Sequence, residues 1–110
     1  MPKLLKPTLR ERNRYLVFEV TSEGSFDRKP IVDAIWGSLL KLHGELGAAK
    51  TSLWVMDWVK EKKKGILKVN HKSVETLRSS ITLVLEIEGK KATISVKKTT
   101  GTLKKARESL

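Results

Sequence analysis

Residues 73–89 read SVETLRSSITLVLEIEG, and the fold depends on whether this stretch is one helix or a helix that gives way to a strand. Val74, Leu77, Ile81 and either Val84 or Leu85 recur at three- and four-residue steps, which is the period of a helix with one apolar face. The inner run ITLVLEI also alternates at period two, so a strand over 81–87 turning at Glu88-Gly89 satisfies the local rules equally well. The helical reading is favoured, because a single short turn buries Val74 and Leu77 poorly. It predicts a helix of about 16 residues over 73–88, with Asn70 available as its cap.

The flanking segments are less ambiguous. RYLVFEVTS, residues 14–22, predicts a strand with Leu16, Phe18 and Val20 on one face and Tyr15, Val17 and Glu19 on the other. Asp27 followed by Pro30 signals a helix start, and Ile31, Ala34, Ile35, Leu39 and Leu42 form its buried stripe until His43-Gly44 ends it. Residues 51–59 predict a second strand and 65–69 a third, joined by the turn EKKKG. In the second strand Trp54, Met56 and Trp58 are expected inward and Asp57 outward, since an unpaired aspartate is costly to bury. Residues 91–99 form a fourth strand with Ala92, Ile94 and Val96 inward, and 103–110 a short helix or basic tail.

The order is βαββαβ, the ferredoxin-like plan. The fold class expected is therefore α+β, a four-stranded antiparallel sheet with two helices on one face and a short C-terminal helix. Residues 1–13 read as a basic N-terminal arm and 14–110 as a single domain. The second face of the sheet is expected to be open and to carry Tyr15, Val17, Lys68, Thr93, Ser95 and Lys97.

Lysine and arginine number 23 against 12 acids, a net charge of +11 that calls for a polyanionic partner. There are no cysteines, which removes disulfides and thiolate chemistry and suits a reducing compartment. The apolar runs fall short of the ~20 residues of a membrane span, so a cytoplasmic protein is expected. Catalysis is hard to assemble. His43 and His71 lack carboxylate or serine partners at useful spacing, paired carboxylates are missing, and no phosphate-cradling glycine loop occurs, so neither catalytic nor metal-ligating residues are assigned.

Phosphate contact is better supplied. The candidates are Arg10, Arg12 and Arg14 near the start, Lys62, Lys63 and Lys64 in the middle turn, and Lys97, Lys98, Lys104, Lys105 and Arg107 toward the end. Thr100-Gly101-Thr102 adds a candidate backbone anchor, with Thr102 capping the last helix and Gly101 allowing close approach or a positive φ. The third strand, KGILKVN, has no aromatic ring for base stacking, so recognition rests on charge, with a log-log salt slope of roughly −4 to −5 for about six phosphates. Val32, Trp36 and Leu40 form a second apolar stripe on the first helix, a candidate for partner packing.

Four segments, PTLRERNRYLVFEV, AIWGSLLKLHGELGAAK, SVETLRSSITLVLEIEG and TTGTLKKA, together resemble archaeal ribonuclease P protein component 2, the small relative of a eukaryotic ribonuclease P and MRP subunit. The resemblance implies a ferredoxin-like or RRM-like sandwich and a helix over 73–88. It implies a subunit of the ribonucleoprotein that removes the 5′ leader of precursor tRNA, with Mg2+ and the chemistry at ribonuclease P RNA and no cofactor on the polypeptide. A second protein subunit of TIM-barrel-like fold and self-association within a heterotetramer are implied as partners. Charge alone would serve a stand-alone basic RNA-binding or ribosomal-type protein equally well. A nuclease in its own right would need metal-ligand carboxylates that the sequence lacks.

Overall fold

Residues 16–18, Leu-Val-Phe, are buried on both sides of their strand, which requires a central strand covered on two faces. A computed structural model describes residues 12–110 and places that strand in the middle of the sheet. In chain order the elements are β1 (Asn13–Ser22), α1 (Arg28–Ala49), β2 (Trp54–Val59), β3 (Lys64–Asn70), α2 (Val74–Ile81), β4 (Glu86–Ile87), β5 (Lys90–Thr100) and α3 (Leu103–Glu108). The sheet runs β2-β3-β1-β5-β4 with antiparallel pairing throughout. The fold is thus mixed, helices on an antiparallel sheet, with five strands instead of the four expected.

The fifth strand comes out of the ambiguous stretch, and neither simple reading of it holds. A 3₁₀ turn, His71–Ser73, leads into α2, which stops at Ile81 after eight residues. Hydroxyls help to stop it: Ser79 and Ser80 donate back to the Glu75 and Thr76 carbonyls at 2.7 and 2.8 Å, and Thr82 donates to Ser79 at 2.7 Å. Such bonds compete with the helical ladder, and β-branched Ile81 and Thr82 weaken it further. Ile81, Val84 and Ile87 then point into the core while Leu83 and Leu85 are exposed, a step of three that is neither helix nor strand. Glu88 and Gly89 have φ of 52° and 77°, as a two-residue hairpin turn of the primed type needs, and they return the chain into β5. The expected helix over 73–88 is corrected to a helix half that length followed by a small hairpin.

Elsewhere the helix signals hold in position more than in mechanism. α1 opens after Asp27, but the Asp27 carboxylate pairs with Lys60 at 2.9 Å and makes no capping bond. Gly44, at φ 71° and ψ 178°, breaks the helix where His43-Gly44 predicted, and a further helical turn follows it. Asn70 is buried and does not cap; its side-chain amide donates to the Lys50 carbonyl and so ties the end of β3 to the end of α1.

Ile31, Ile35 and Leu39 of α1 and Leu77 and Ile81 of α2 pack on Leu16, Phe18, Val20, Leu67 and Val69, forming the main core. Leu42, expected in that stripe, is exposed. Within this core Phe18, Gly65 and Trp58 stand opposite one another on β1, β3 and β2. Gly65 has no side chain, so the two rings meet above it, nearly parallel at 12° and 5.8 Å between centroids. The indole N–H donates to the Phe26 carbonyl at 2.9 Å.

A bulge in β2 reverses part of the expected alternation. Val55 pairs with Leu67 and Asp57 with the next residue, Ile66, so Met56 is the extra residue. Val55 and Trp58 therefore both reach the main core, whereas Met56 packs on the opposite face. Trp54, expected inward, is 63% exposed.

A Cβ at Gly65 would lie 2.5 Å from the Phe18 ring and 2.7 Å from the Asp57 carbonyl oxygen, whereas one at the α1 residue Gly37 meets nothing within 4 Å. Gly65→Ala is expected to cost about 2 kcal/mol or more by overpacking, and Gly37→Ala to add roughly 0.5–1 kcal/mol by helix propensity. Urea denaturation of both variants reads the difference; equal effects would show that the ring stack does not constrain the sheet.

Candidate nucleic-acid interface

The second face of the sheet is not open. After β5, Thr102 caps α3 by accepting from the Lys105 amide at 3.3 Å, and the helix folds back across the strands. Ala106 is fully buried against Val17 and Ile66, with Tyr15, Met56, Leu103 and Leu110 around them. Val17, expected on an exposed face, is accordingly 1% exposed. Asp57 fastens the helix: its carboxylate accepts from Arg107 Nε at 2.8 Å and Nη2 at 3.4 Å. That hydrogen bond, reinforced by the charge of Asp57, holds the Arg107 pKa above its usual value. The tip of the β2–β3 turn reaches the same helix, with Lys62 Nζ donating to the Leu110 carbonyl oxygen at 2.9 Å.

The candidate phosphate contacts fall into two groups along this face. Lys97 and Lys98 are exposed at a second bulge, with Lys98 opposite Val17 and Lys97 the extra residue, and α3, which packs on Val17, carries the exposed Lys104 and Lys105. Lys62 and Arg107 adjoin the same helix but already have partners within the chain. Lys63, at φ 55° in the turn, donates to the Ser22 carbonyl at 2.6 Å, and Lys64 is half-buried at the start of β3. Lys60, next to them, pairs with Asp27, whose hydrogen bond and charge raise the lysine pKa above the usual range.

Arg14 lies toward the other end of β1, about 17 Å along the strand from the level of Lys64. There it meets the turn after β5: a Cβ on Gly101 would lie 3.9 Å from Arg14 Nη1, which donates to the Asn13 carbonyl at 3.1 Å. Arg12 is exposed, and its carbonyl accepts from the His71 amide at 2.7 Å. Arg10 lies outside the described residues.

The Thr100–Thr102 turn is tighter than the sequence suggests. Thr100 is 7% exposed and donates to the Thr102 carbonyl at 2.8 Å. Gly101 does not have a positive φ, and a side chain there would find space. A positive φ is therefore not what this position requires. With six residues, α3 also carries only a small dipole, so its lysines supply most of the attraction.

Val32 and Trp36 are half-buried at the rim of the main core, and Leu40 is exposed, close along α1 to the exposed Leu42 and Leu46. Among the described residues no group of three or more His, Cys, Asp or Glu is placed to hold a metal ion, and no helix is long and apolar enough to cross a membrane.

The described residues thus form a mixed α/β fold, an antiparallel sheet with helices, with exposed lysines on and around α3. Residues 14–110 match the model of the Rpp14/Pop5 family, and the chain belongs to that family. It is 40% identical over 104 residues to ribonuclease P protein component 2 of Pyrococcus furiosus, covering 94% of this chain and 87% of that one. With the protein of the same name from Methanococcus maripaludis it shares 34% over 108 residues, 98% of this chain and 82% of the other. A chain in the cryo-EM structure of yeast ribonuclease MRP has the same fold, at TM-score 0.71 and 20% identity over 94% of both chains.

Ala106→Glu would force a carboxylate between α3 and the sheet at a fully buried position. The expected outcome is loss of amide-exchange protection in α3 with protection retained in β1. Protection retained in both would show that α3 docks without this contact.

Proposed function

We propose that this chain is a protein subunit of ribonuclease P, the ribonucleoprotein that removes the 5′ leader of precursor tRNA. In this reading it binds and stabilises the catalytic domain of ribonuclease P RNA and does no chemistry itself. The observation that carries it is the nearly end-to-end match to archaeal proteins named ribonuclease P protein component 2. The strand order β2-β3-β1-β5 with α1 and α2 on one face supports a ferredoxin-like, RRM-like sandwich, to which β4 is an edge addition.

Geometry supports the RNA-binding half. Lys97, Lys98, Lys104 and Lys105 are exposed on β5 and on α3, the helix that packs against Val17; they outnumber Glu108, the acid of α3, and Asp57 is already paired with Arg107. Lys62, Lys63, Lys64 and Arg107 extend this surface, while Arg12, Arg14 and Thr100-Gly101-Thr102 form its other end. Arg10 belongs with the latter by sequence. The magnesium ions that the reaction needs sit on the RNA in this scheme. A second protein subunit of TIM-barrel-like fold would pack on the exposed leucines of α1, with Leu40 at the centre and Val32 and Trp36 beneath, and a second copy within a heterotetramer would compete for the same stripe. The compartment is the cytoplasm.

Reconstitution with the cognate RNA and the second protein subunit tests the proposal: adding this chain is expected to raise the cleavage rate of precursor tRNA at limiting magnesium. Cleavage indifferent to it would overturn the reading in favour of a stand-alone RNA-binding protein. Replacing Lys97, Lys98, Lys104 and Lys105 by Ala is expected to flatten the log-log salt dependence of RNA binding by roughly 3. Gly101→Val is expected to leave thermal stability unchanged yet lower cleavage more than any single Lys→Ala, and equal effects would remove the turn from the interface.

A further inference from the structure

Among the described residues Trp54 is the one large apolar side chain exposed on the α3 side of the sheet; the other strongly exposed ones, all leucines, belong to α1 or to the segment after α2. Tryptophan is normally among the more buried residues, so 63% exposure on a strand needs a reason. Packing supplies none. The cluster under α3 takes in Tyr15 and Met56 but leaves Trp54 outside, and among the described residues β2 is an edge strand with no strand beyond it.

The surroundings are cationic. Directly opposite Trp54 on β3 is Lys68, opposite Lys68 on β1 is Tyr15, and opposite Tyr15 on β5 is Thr100. These four share one face, at intervals of about 4.8 Å between strands, so they form a row that ends at the Thr100–Thr102 turn. Two residues before Trp54 and two after Lys68, the chain lines a recess with Lys50, Ser52, Asn70, Lys72 and Ser73, and no carboxylate lines it. An isolated ring among lysines is poorly suited to an apolar protein surface, which would match it with more apolar groups. It is well suited to an unpaired base, whose π-face stacks on the indole while neighbouring phosphates meet the lysines.

We propose that Trp54 is a stacking platform for one unpaired base of an RNA strand whose backbone runs along Lys68 and the Lys50 and Lys72 recess. This deepens the RNA-subunit reading and rests on it. The third strand has no aromatic for this purpose; the edge strand provides one in its place.

The test uses the full chain with a dye-labelled eight-nucleotide oligouridylate and with an RNA duplex of equal charge. Wild type is expected to show tryptophan quenching by the single strand and not by the duplex. Trp54→Phe should remove the quenching but weaken single-strand binding less than threefold, while Trp54→Ala should weaken it tenfold or more. Because no phosphate contact is lost, Trp54→Ala should leave the salt slope unchanged, whereas Lys68→Ala should flatten it by about 0.7. Thermal melts check that each variant folds. Wild-type affinity and quenching in Trp54→Ala would overturn the platform while leaving RNA binding intact. Failure of the wild type to bind either RNA would overturn the platform and the RNA-binding reading together. Quenching by the second protein subunit and not by RNA would assign Trp54 to a protein interface and overturn the proposal.

Discussion

The close approach of Phe18 and Trp58 over Gly65 is the constraint on which the rest of the structure depends. Side chains two strands apart are roughly 10 Å distant at the backbone, and only a missing side chain on the strand between lets their rings stack. The stack binds the edge strand β2 to the central strand β1, and the indole N–H secures the loop ahead of α1. It also sets the phase of β2. With Trp58 committed to the main core and a bulge at Met56, Asp57 faces the other side, where it meets Arg107 and holds α3 in place.

Two faces of different character result. The helix layer is apolar at its core and ends in exposed leucines, while the α3 side combines a small apolar seal with lysines at its margins. Covering the sheet with α3 removes the flat platform on which an open RRM-type sheet would stack bases, and leaves exposed lysines at the rim. The cations there are single surface charges, each weak on its own and strongly screened by salt, so their value lies in number and in shared direction.

Much of this was legible in the sequence where one local rule acted alone. β1 followed period two because its pairing with β3 is regular from Asn13 to Glu19, Gly44 broke α1 because few other residues take its backbone angles, and Thr102 capped α3 by a bond three residues long. The stretch from Ser73 to Glu88 misled because two periods coexist in it and a third arrangement, fixed by serine and threonine hydroxyls and a primed turn, satisfied the core better. A helix of eight residues is enough to bury Leu77 fully and Val74 in part.

Composition and pattern determined by themselves that the chain is basic and cysteine-free, and gave the order βαββαβ with a short C-terminal helix, to which the structure adds β4. Those properties are local or additive, and no contact is needed to read them. The exposure of Trp54, the coverage of Val17, the engagement of Arg107 by Asp57 and the meeting of Arg14 with Gly101 were decided only in three dimensions. Each depends on a register shift or a returning helix, which relates residues 50 or more positions apart or reverses a face by one residue. Alternation along a single strand holds no record of either.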